Sequence, residues 1–451
     1  MSVIAFFHNA LGKTDGVSLE VDKWRSCLED MGHRVLYCAG NNDDTRVYCI
    51  PELDFFHPQT RTLIHNATVA LTDYTPEQLV QAIEEQAAII EQKLLRFLEL
   101  NEPDFLVPNN LLSVGYHVSA LLAFSRVIEN TGIPTIAHNH DFYFEDSGEV
   151  SPTCPQVWDI LDTYSPPNFQ NVQNLVINKL AQKQLLQRKN ILSRVVPNVF
   201  DFDQPPWVLD DFNRDLREEL SISQQDVVFL QATRVMDRKG IELAIDLVGK
   251  VKQKIPLHIG RRLYDGRAIT DSTKPVLVCA GRIERFGISG NYKNALESRA
   301  AKIGVDIRFV GKRVKHSRGV HPQRGKLYSL WDTYVHGDFV TYPSWWEGWG
   351  NQFIEAVHAR LPIAYFEYPV FETDLKPSGL GGVSLGNKLM GPDSYGLFSV
   401  DEHQLEQAAE QAIELLLDTT KRQELVQKNF EIARENFSFE TLKTILQELF
   451  F

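Results

Sequence analysis

The sequence predicts an α/β protein built from two doubly wound parallel sheets. Three observations carry that prediction. Short apolar runs of strand length alternate with amphipathic helical segments, the βαβ order that requires a parallel sheet with helices on both faces. The alternation comes in two sets, separated by the Pro- and Asp-rich stretch VPNVFDFDQPPWVLDDFNRD, whose periodicity is weak. The chain has 451 residues, more than a single hydrophobic core usually serves.

In the first set, VIAFFHN reads as a buried parallel strand, followed by a Gly-containing loop over 11–18. A helical pattern through VSLEVDKWRSCLEDMG leads to a second strand, HRVLYCAG. TPEQLVQAIEEQAAIIEQKLLRFLELNEPD is a long helix with Thr75 as N-cap, Pro76 at its first position and Pro103 closing it. FLVPNN and PTIAHNH read as further strands. In the second set, DVVFLQATR, PVLVCAGR, VDIRFVGK, DFVTYPS and LPIAYFEYP are strands, and KGIELAIDLVGKVKQK, NALESRAAKIG and NQFIEAVHAR are helices. The tail from about residue 401 is helical, with Ser438 as N-cap of the last helix.

Composition excludes several classes. Apolar residues make up 43% and charged residues 23%, as in ordinary globular proteins. No apolar run reaches the roughly 18 residues of a spanning helix. MSVIAFFHNALGKTDG has no basic n-region and reads as a first strand, not a signal peptide. Five cysteines without a CxxC pair point to a reducing cytoplasm, with neither a disulfide framework nor a zinc site. The formal charge of −13 is unevenly spread. Residues 1–200 carry 14 basic and 24 acidic side chains, whereas residues 230–330 carry 22 basic and 8 acidic ones. The basic stretch lacks interleaved aromatics, so a phosphate-bearing small molecule fits it better than nucleic acid.

Three constellations fall at strand ends, where ligands bind in open α/β sheets. ATRVMDRKG places Arg234 and Lys239 in a strand-to-helix loop, a fork and a point charge for phosphate oxygens. PSWWEGWGNQFIEA places Glu347 among glycines before a helix and Glu355 eight residues later. That separation, about 12 Å along a helix, is too long for a glycosidase acid/base pair, so these carboxylates suit hydroxyl groups instead. PTIAHNHDFYFED places His138, His140 and Asp141 after a strand, without the third ligand that a metal site needs.

Taken together, these pieces resemble the retaining glycosyltransferases of family 4, in the superfamily of glycogen and sucrose synthases. The resemblance runs through KTDGVS after the first strand, His140 six residues after Pro134, VPNVFDFD, the R-x4-K of ATRVMDRKG and the E-x7-E of EGWGNQFIEA. It implies the GT-B fold, two facing Rossmann-like domains with a cleft between them. Residues 1–200 would bind the acceptor and 201–430 the nucleotide-sugar, with 431–451 returning to the first domain. It implies that Arg234 and Lys239 hold the donor diphosphate, that Glu347 bonds the donor sugar and that His140 lies near its reacting face. Gly12, Gly16, Trp349, Gly350, Asn351, Glu355 and Lys312 would contact the donor, with His138, Asp141 and Tyr143 on the acceptor side. Three departures stand out: Val199 where the family commonly has Gly, a first loop without paired glycines, and EYPVFETD in place of a small-residue stretch.

The expected reaction is retaining transfer of a glucose or mannose unit from a nucleoside diphosphate sugar to a hydroxyl of a soluble acceptor, such as a small sugar or sugar acid. It would be a cytoplasmic, metal-independent, front-face reaction without a cofactor, nucleic acid or membrane partner. The acidic first half would be repelled by anionic headgroups, which disfavours transfer to a membrane-lipid acceptor. A non-catalytic nucleotide-sugar binder would not need Arg234, Lys239 and both glutamates intact, as they are here. A dinucleotide oxidoreductase would need G-x-G-x-x-G after a strand, which the chain lacks.

Overall fold

Alternate side chains of the first strand enter two different cores, and this is why it is apolar throughout. The structure, a computed structural model, describes residues 1–12, 16–41, 46–145, 150–284 and 291–451. The first strand, β1 (Val3–His8), sends Ala5 and Phe7 into one buried cluster and Ile4 and Phe6 into another. Helices therefore cover both faces, as parallel sheets require.

The chain divides into two compact units, one of residues 1–199 with 439–451 and the other of residues 200–438. In the first unit β1 is followed by α1 (Gly16–Asp30), β2 (Arg34–Ala39), β3 (Val47–Cys49), α2 (Pro58–Thr68) and α3 (Pro76–Asn101). Then come β4 (Phe105–Pro108), α4 (Val118–Thr131), β5 (Thr135–Asn139), α5 (Pro155–Tyr164), β6 (Val172–Val176), α6 (Lys179–Lys189) and β7 (Ser193–Val195). Among the described residues these strands form one parallel sheet in the order β3-β2-β1-β4-β5-β6-β7. Thr75 caps α3 in a reciprocal box with Gln78, and Pro76 opens the helix.

Strands β3, β6 and β7 escape the sequence pattern. β6 carries Gln173 and Asn174, and β7 carries Ser193 and Arg194, so neither reads as an apolar run. Buried Asn174 is satisfied by tertiary partners, the Asn139 amide at 3.0 Å and the Pro167 carbonyl at 3.0 Å.

The second unit contains α7 (Leu216–Glu219), β8 (Val227–Gln231), α8 (Ile241–Lys254), β9 (Pro275–Cys279), α9 (Tyr292–Ile303) and β10 (Asp306–Phe309). A small sheet follows, β11 (Val314–Lys315), β12 (Gly319–His321) and β13 (Gly325–Ser329). The unit continues with α10 (Leu330–Val335), β14 (Phe339–Tyr342), α11 (Asn351–His358), β15 (Ile363–Tyr365), β16 (Val383–Ser384), α12 (Glu402–Leu417) and α13 (Thr419–Asn436). Its parallel sheet has the order β10-β9-β8-β14-β15-β16, so the topological switch falls between β8 and β14.

The last helix, α14 (Phe439–Phe450), belongs to the first unit. Leu442, Leu446 and Phe450 join Ile4, Phe6 and Trp24 in one core. The segment returning to that unit begins at Phe439 rather than at 431, because residues 431–436 complete α13 in the second unit. Phe200 donates its N–H to the Phe437 carbonyl at 2.8 Å, so the two strands of chain at the boundary lie side by side. Val199 is held by Glu20, which accepts its N–H at 3.0 Å, and by Lys23, which donates to its carbonyl at 2.5 Å. A side-chain-pinned backbone thus stands where a flexible Gly is common in the resembled family.

The basic stretch is largely neutralised by carboxylates from outside it. Arg267 pairs with Asp338, Arg313 with Glu219, Arg318 with Asp210 and Asp332, and Lys326 with Asp215. Much of the local excess of cations is therefore structural and does not mark a ligand. Among the described residues no helix is long and apolar enough to cross a membrane.

Leu446 is fully buried, so Leu446→Ala should destabilise the first unit by about 3 kcal/mol, read from chemical denaturation of the full chain.

Candidate functional site

The second unit concentrates charge where β8 and β14 end. After β8 the chain makes a single 3-10 turn, Asp237–Lys239, and then Gly240 adopts a left-handed conformation, φ 58°. A Cβ on Gly240 would stand 2.3 Å from the Pro343 carbonyl oxygen, so only glycine lets the loop after β8 meet the loop after β14. Trp345 stitches the two loops together. Its N–H donates to the Arg238 carbonyl at 3.0 Å and its indole Nε1 donates to the Asp237 carbonyl at 3.1 Å.

Glu347 is the centre of this junction. Lys239 Nζ donates to its Oε1, and Arg238 Nη1 donates to its Oε2 at 2.9 Å and to the Trp346 carbonyl at 2.8 Å. Lys239 and Glu347 are both buried. Burial alone would push the Glu347 carboxyl up, but the Lys239 ammonium and the Arg238 guanidinium hold it at about 2. Burial also pushes Lys239 below the ordinary lysine value, against the pull of Glu347. The pair is ionised, because the two cations on one carboxylate outweigh its desolvation.

The remaining sequence-derived residues of this unit separate. Arg234 is half exposed, with Nη1 3.3 Å from Glu284 Oε1, so it stands as an open cation beside a buried one. Glu355 accepts from the Tyr334 hydroxyl at 3.0 Å, a different neighbourhood from that of Glu347. Trp349 is buried with its ring edge on Phe437, and Asn351 opens α11. Lys312 is exposed beyond edge strand β10, with β9 between that strand and β8, so it does not join the Glu347 cluster.

EYPVFETD proves to be a brace for the glycine loop. Tyr368 donates to the Trp349 carbonyl at 2.6 Å, and a Cβ on Gly350 would stand 2.4 Å from the Tyr368 hydroxyl oxygen. Sequence reasoning passed over Arg238, Tyr334 and Tyr368. Arg238 lay inside the R-x4-K spacing, but the two tyrosines act across elements and leave no local pattern.

In the first unit, the carboxyl ends of β1, β4 and β5 gather His8, Asn109, Asn110, His138 and His140. His8 Nδ1 lies 2.8 Å from the Asn109 carbonyl, and His138 Nδ1 lies 3.0 Å from Asn109 Oδ1. Asn110, in the left-handed region at φ 57°, accepts the His140 N–H at 2.7 Å and donates to Asp141 at 2.9 Å. The paired asparagines of FLVPNN were the available signal for this scaffold. His138 stacks on Trp24 at 4.5 Å and packs against His140 at 4.2 Å. Burial pushes His138 down to about 3 and His140 well below the ordinary imidazole value, so both are neutral bases.

Two expected acceptor residues are enclosed. His138 lies under Trp24, and Tyr143 is buried beside Phe144 and Trp158, where burial raises its phenol to about 12. The apolar body of each is worth more in the core than at the surface. Asp141 is exposed. Gly12 has φ 71° and Gly16 begins α1; Lys13, Thr14 and Asp15 of KTDGVS lie outside the described residues. Asn41 holds the entry to that loop, accepting the Leu11 N–H and donating to its carbonyl, each at 2.9 Å.

No protein-family model matches the chain. Mannosylglucosylglycerate synthase of Petrotoga mobilis is 34% identical over 434 residues, covering 96% of this chain and 98% of that protein. Mannosylglucosylglycerate synthase of Thermotoga maritima is 37% identical over 446 residues, covering 98% of each. The chain belongs to the mannosylglucosylglycerate synthase family. It is a glycosyltransferase, as the resemblance implied. Sucrose-phosphate synthase from Thermosynechococcus elongatus has a TM-score of 0.59 at 13% identity, covering all of this chain and 98% of that one. The catalytic domain of starch synthase IV from Arabidopsis thaliana, bound to ADP and acarbose, has a TM-score of 0.60 at 13% identity, covering 99% and 98%. These likenesses show the fold, and with the two parallel sheets they make the glycosyltransferase a GT-B protein.

Glu347 is held at about 2, below its ordinary 4.5, so its ion pairs stabilise the second unit fully above about pH 4.5. That stability should be lost as pH falls toward 2, and Glu347→Gln should flatten this acid limb in denaturation at stepped pH. Gly350→Ala should cost about 2 kcal/mol through the Tyr368 hydroxyl, and adding Tyr368→Phe should recover part of it in a double-mutant cycle.

Proposed function

We propose that this glycosyltransferase moves a mannosyl unit from a nucleoside diphosphate mannose to a hydroxyl of glucosylglycerate, forming mannosylglucosylglycerate. The observation that carries the reading is the identity of 34% and 37% with two mannosylglucosylglycerate synthases over nearly the whole chain. The charge cluster of the second unit supports the donor class. A nucleoside diphosphate needs cations at its phosphates, and Arg234 and Lys239 lie on the loop that the β8–β14 switch point presents.

The transfer proceeds with retention. Arg234 and Lys239 stabilise the diphosphate as negative charge grows on the departing oxygen, which is electrostatic catalysis by preorganised cations. Glu347 orients the donor sugar through hydroxyl hydrogen bonds, and Arg238 holds it for that task by its 2.9 Å contact. Glu355 serves the ribose hydroxyls. The backbone of Trp349, Gly350 and Asn351 approaches donor oxygens. His140, a neutral base, faces the reacting sugar, and exposed Asp141 serves the acceptor. No carboxylate acts as a nucleophile, so the donor phosphate oxygen takes the acceptor proton in a front-face reaction. The two cations take the part that a divalent metal would otherwise play.

The test is purified protein with GDP-, UDP- and ADP-mannose against glucosylglycerate, scored by product mass and by NMR of the new anomeric centre. Transfer with an α linkage from an α donor is expected, unaffected by EDTA. Transfer of glucose in preference to mannose, or inversion, would overturn the reading. Arg234→Ala, at an exposed position that folding tolerates, should lower kcat about a hundredfold.

A further inference from the structure

Glu242 is the second residue of α8, three after Lys239, and it is only 1% exposed. Acidic residues favour the first turn of a helix because they face its positive end, but they seldom do so buried. This carboxylate is fully engaged. Its Oε2 accepts from the Tyr292 hydroxyl, and its Oε1 accepts the Phe398 N–H at 3.2 Å. The Tyr292 oxygen in turn accepts the Ile241 N–H at 2.9 Å, satisfying one of the donors that a helix start leaves open.

Phe398 carries the linkage onward. Its ring meets Trp345 edge-on at 6.1 Å, and Trp345 donates to the carbonyls of both Asp237 and Arg238. One carboxylate therefore ties the start of α8, the start of α9, the segment ending at Phe398 and both loops of the Glu347 junction.

We propose that Glu242 is a positioning residue of the donor site, whose carboxylate, through Tyr292 and Phe398, holds the turn bearing Arg238 and Lys239 in the arrangement that receives a nucleoside diphosphate. This rests on the reading of the second unit as the nucleotide-sugar site. The charged groups facing Glu242 are few. Arg299 of α9 attracts it, but Arg299 is paired with Asp246 of α8 at its guanidinium and with Asp393 at 3.4 Å. Asp237 lies near Tyr292 from the loop after β8.

Burial pushes the Glu242 carboxyl up to about 7, with the Tyr292 and Phe398 hydrogen bonds pulling the other way. Only the ionised form accepts both donors at once, since a protonated oxygen would face the Tyr292 hydrogen. The folded value lies above the ordinary 4.5, so ionising Glu242 opposes folding increasingly from pH 4.5 to about 7.

Calorimetry of GDP, UDP and ADP binding to the full chain, from about pH 5.5 to 8.5, tests this on the wild type, Glu242→Gln and Tyr292→Phe, with thermal melts alongside. Wild-type affinity should rise as pH passes about 7. Both variants should bind about tenfold more weakly at the alkaline end, and Glu242→Gln should show a smaller pH step than wild type, the remainder being ionisation of the nucleotide's own terminal phosphate, while melting no lower than wild type there. Wild-type affinity with the pH step intact in Glu242→Gln would overturn the inference. So would weakened binding matched by a fall in its melting temperature, which marks a merely structural group. If none of the three nucleotides binds the wild type, this inference and the donor assignment fall together. If they bind and mannose is not transferred, only the reading of the reaction fails.

Discussion

The second unit turns on a carboxylate held between two cations. Glu347 is buried, and an isolated buried carboxylate would be driven to its neutral form. Lys239 and Arg238 prevent that, and they can do so only because the loops after β8 and β14 lie in contact. That contact depends on Gly240, which the Pro343 carbonyl approaches too closely for any side chain. Tyr368 then braces the following loop at Trp349 and Gly350. Each feature of the junction presupposes the others, so polar groups are placed there with little freedom.

The first unit arranges its polar groups by another means. Asn109 and Asn110, at the end of β4, bond the histidines of β1 and β5 through backbone and side chain. His138 and His140 are neutral because they are desolvated, not because a partner takes their proton. One unit therefore presents fixed charge at its strand ends and the other presents neutral hydrogen-bonding groups.

Much of the site was legible in the sequence because its residues fall where periodic strands end. The R-x4-K and E-x7-E spacings located Arg234, Lys239, Glu347 and Glu355 on loops and a helix that the structure contains. Lys312 lies apart from the Glu347 cluster and Tyr143 is enclosed, and neither surrounding was legible locally. Charge and aromaticity are local properties, while exposure and pairing depend on what other elements bring to the same spot. The cations of residues 230–330 meet carboxylates from α7, α10 and the residue before β14, none of which a local count can see. Tyr143 meets Trp158 of α5, and that contact puts it inside.

By itself, then, the sequence determined the class of fold, the core strands β8, β9, β10, β14 and β15 of the second half, and the loops that carry the chemistry. Hydrophobic period and turn residues are nearest-neighbour signals, and they survive without tertiary information. Only the tertiary structure decided that Arg238 shares Glu347 with Lys239, that Tyr368 braces the glycine loop, and that Glu242 joins elements from four parts of the chain. These are long-range hydrogen bonds between buried polar groups. Their partners are chosen by which surfaces pack together, and no spacing along the chain encodes that choice.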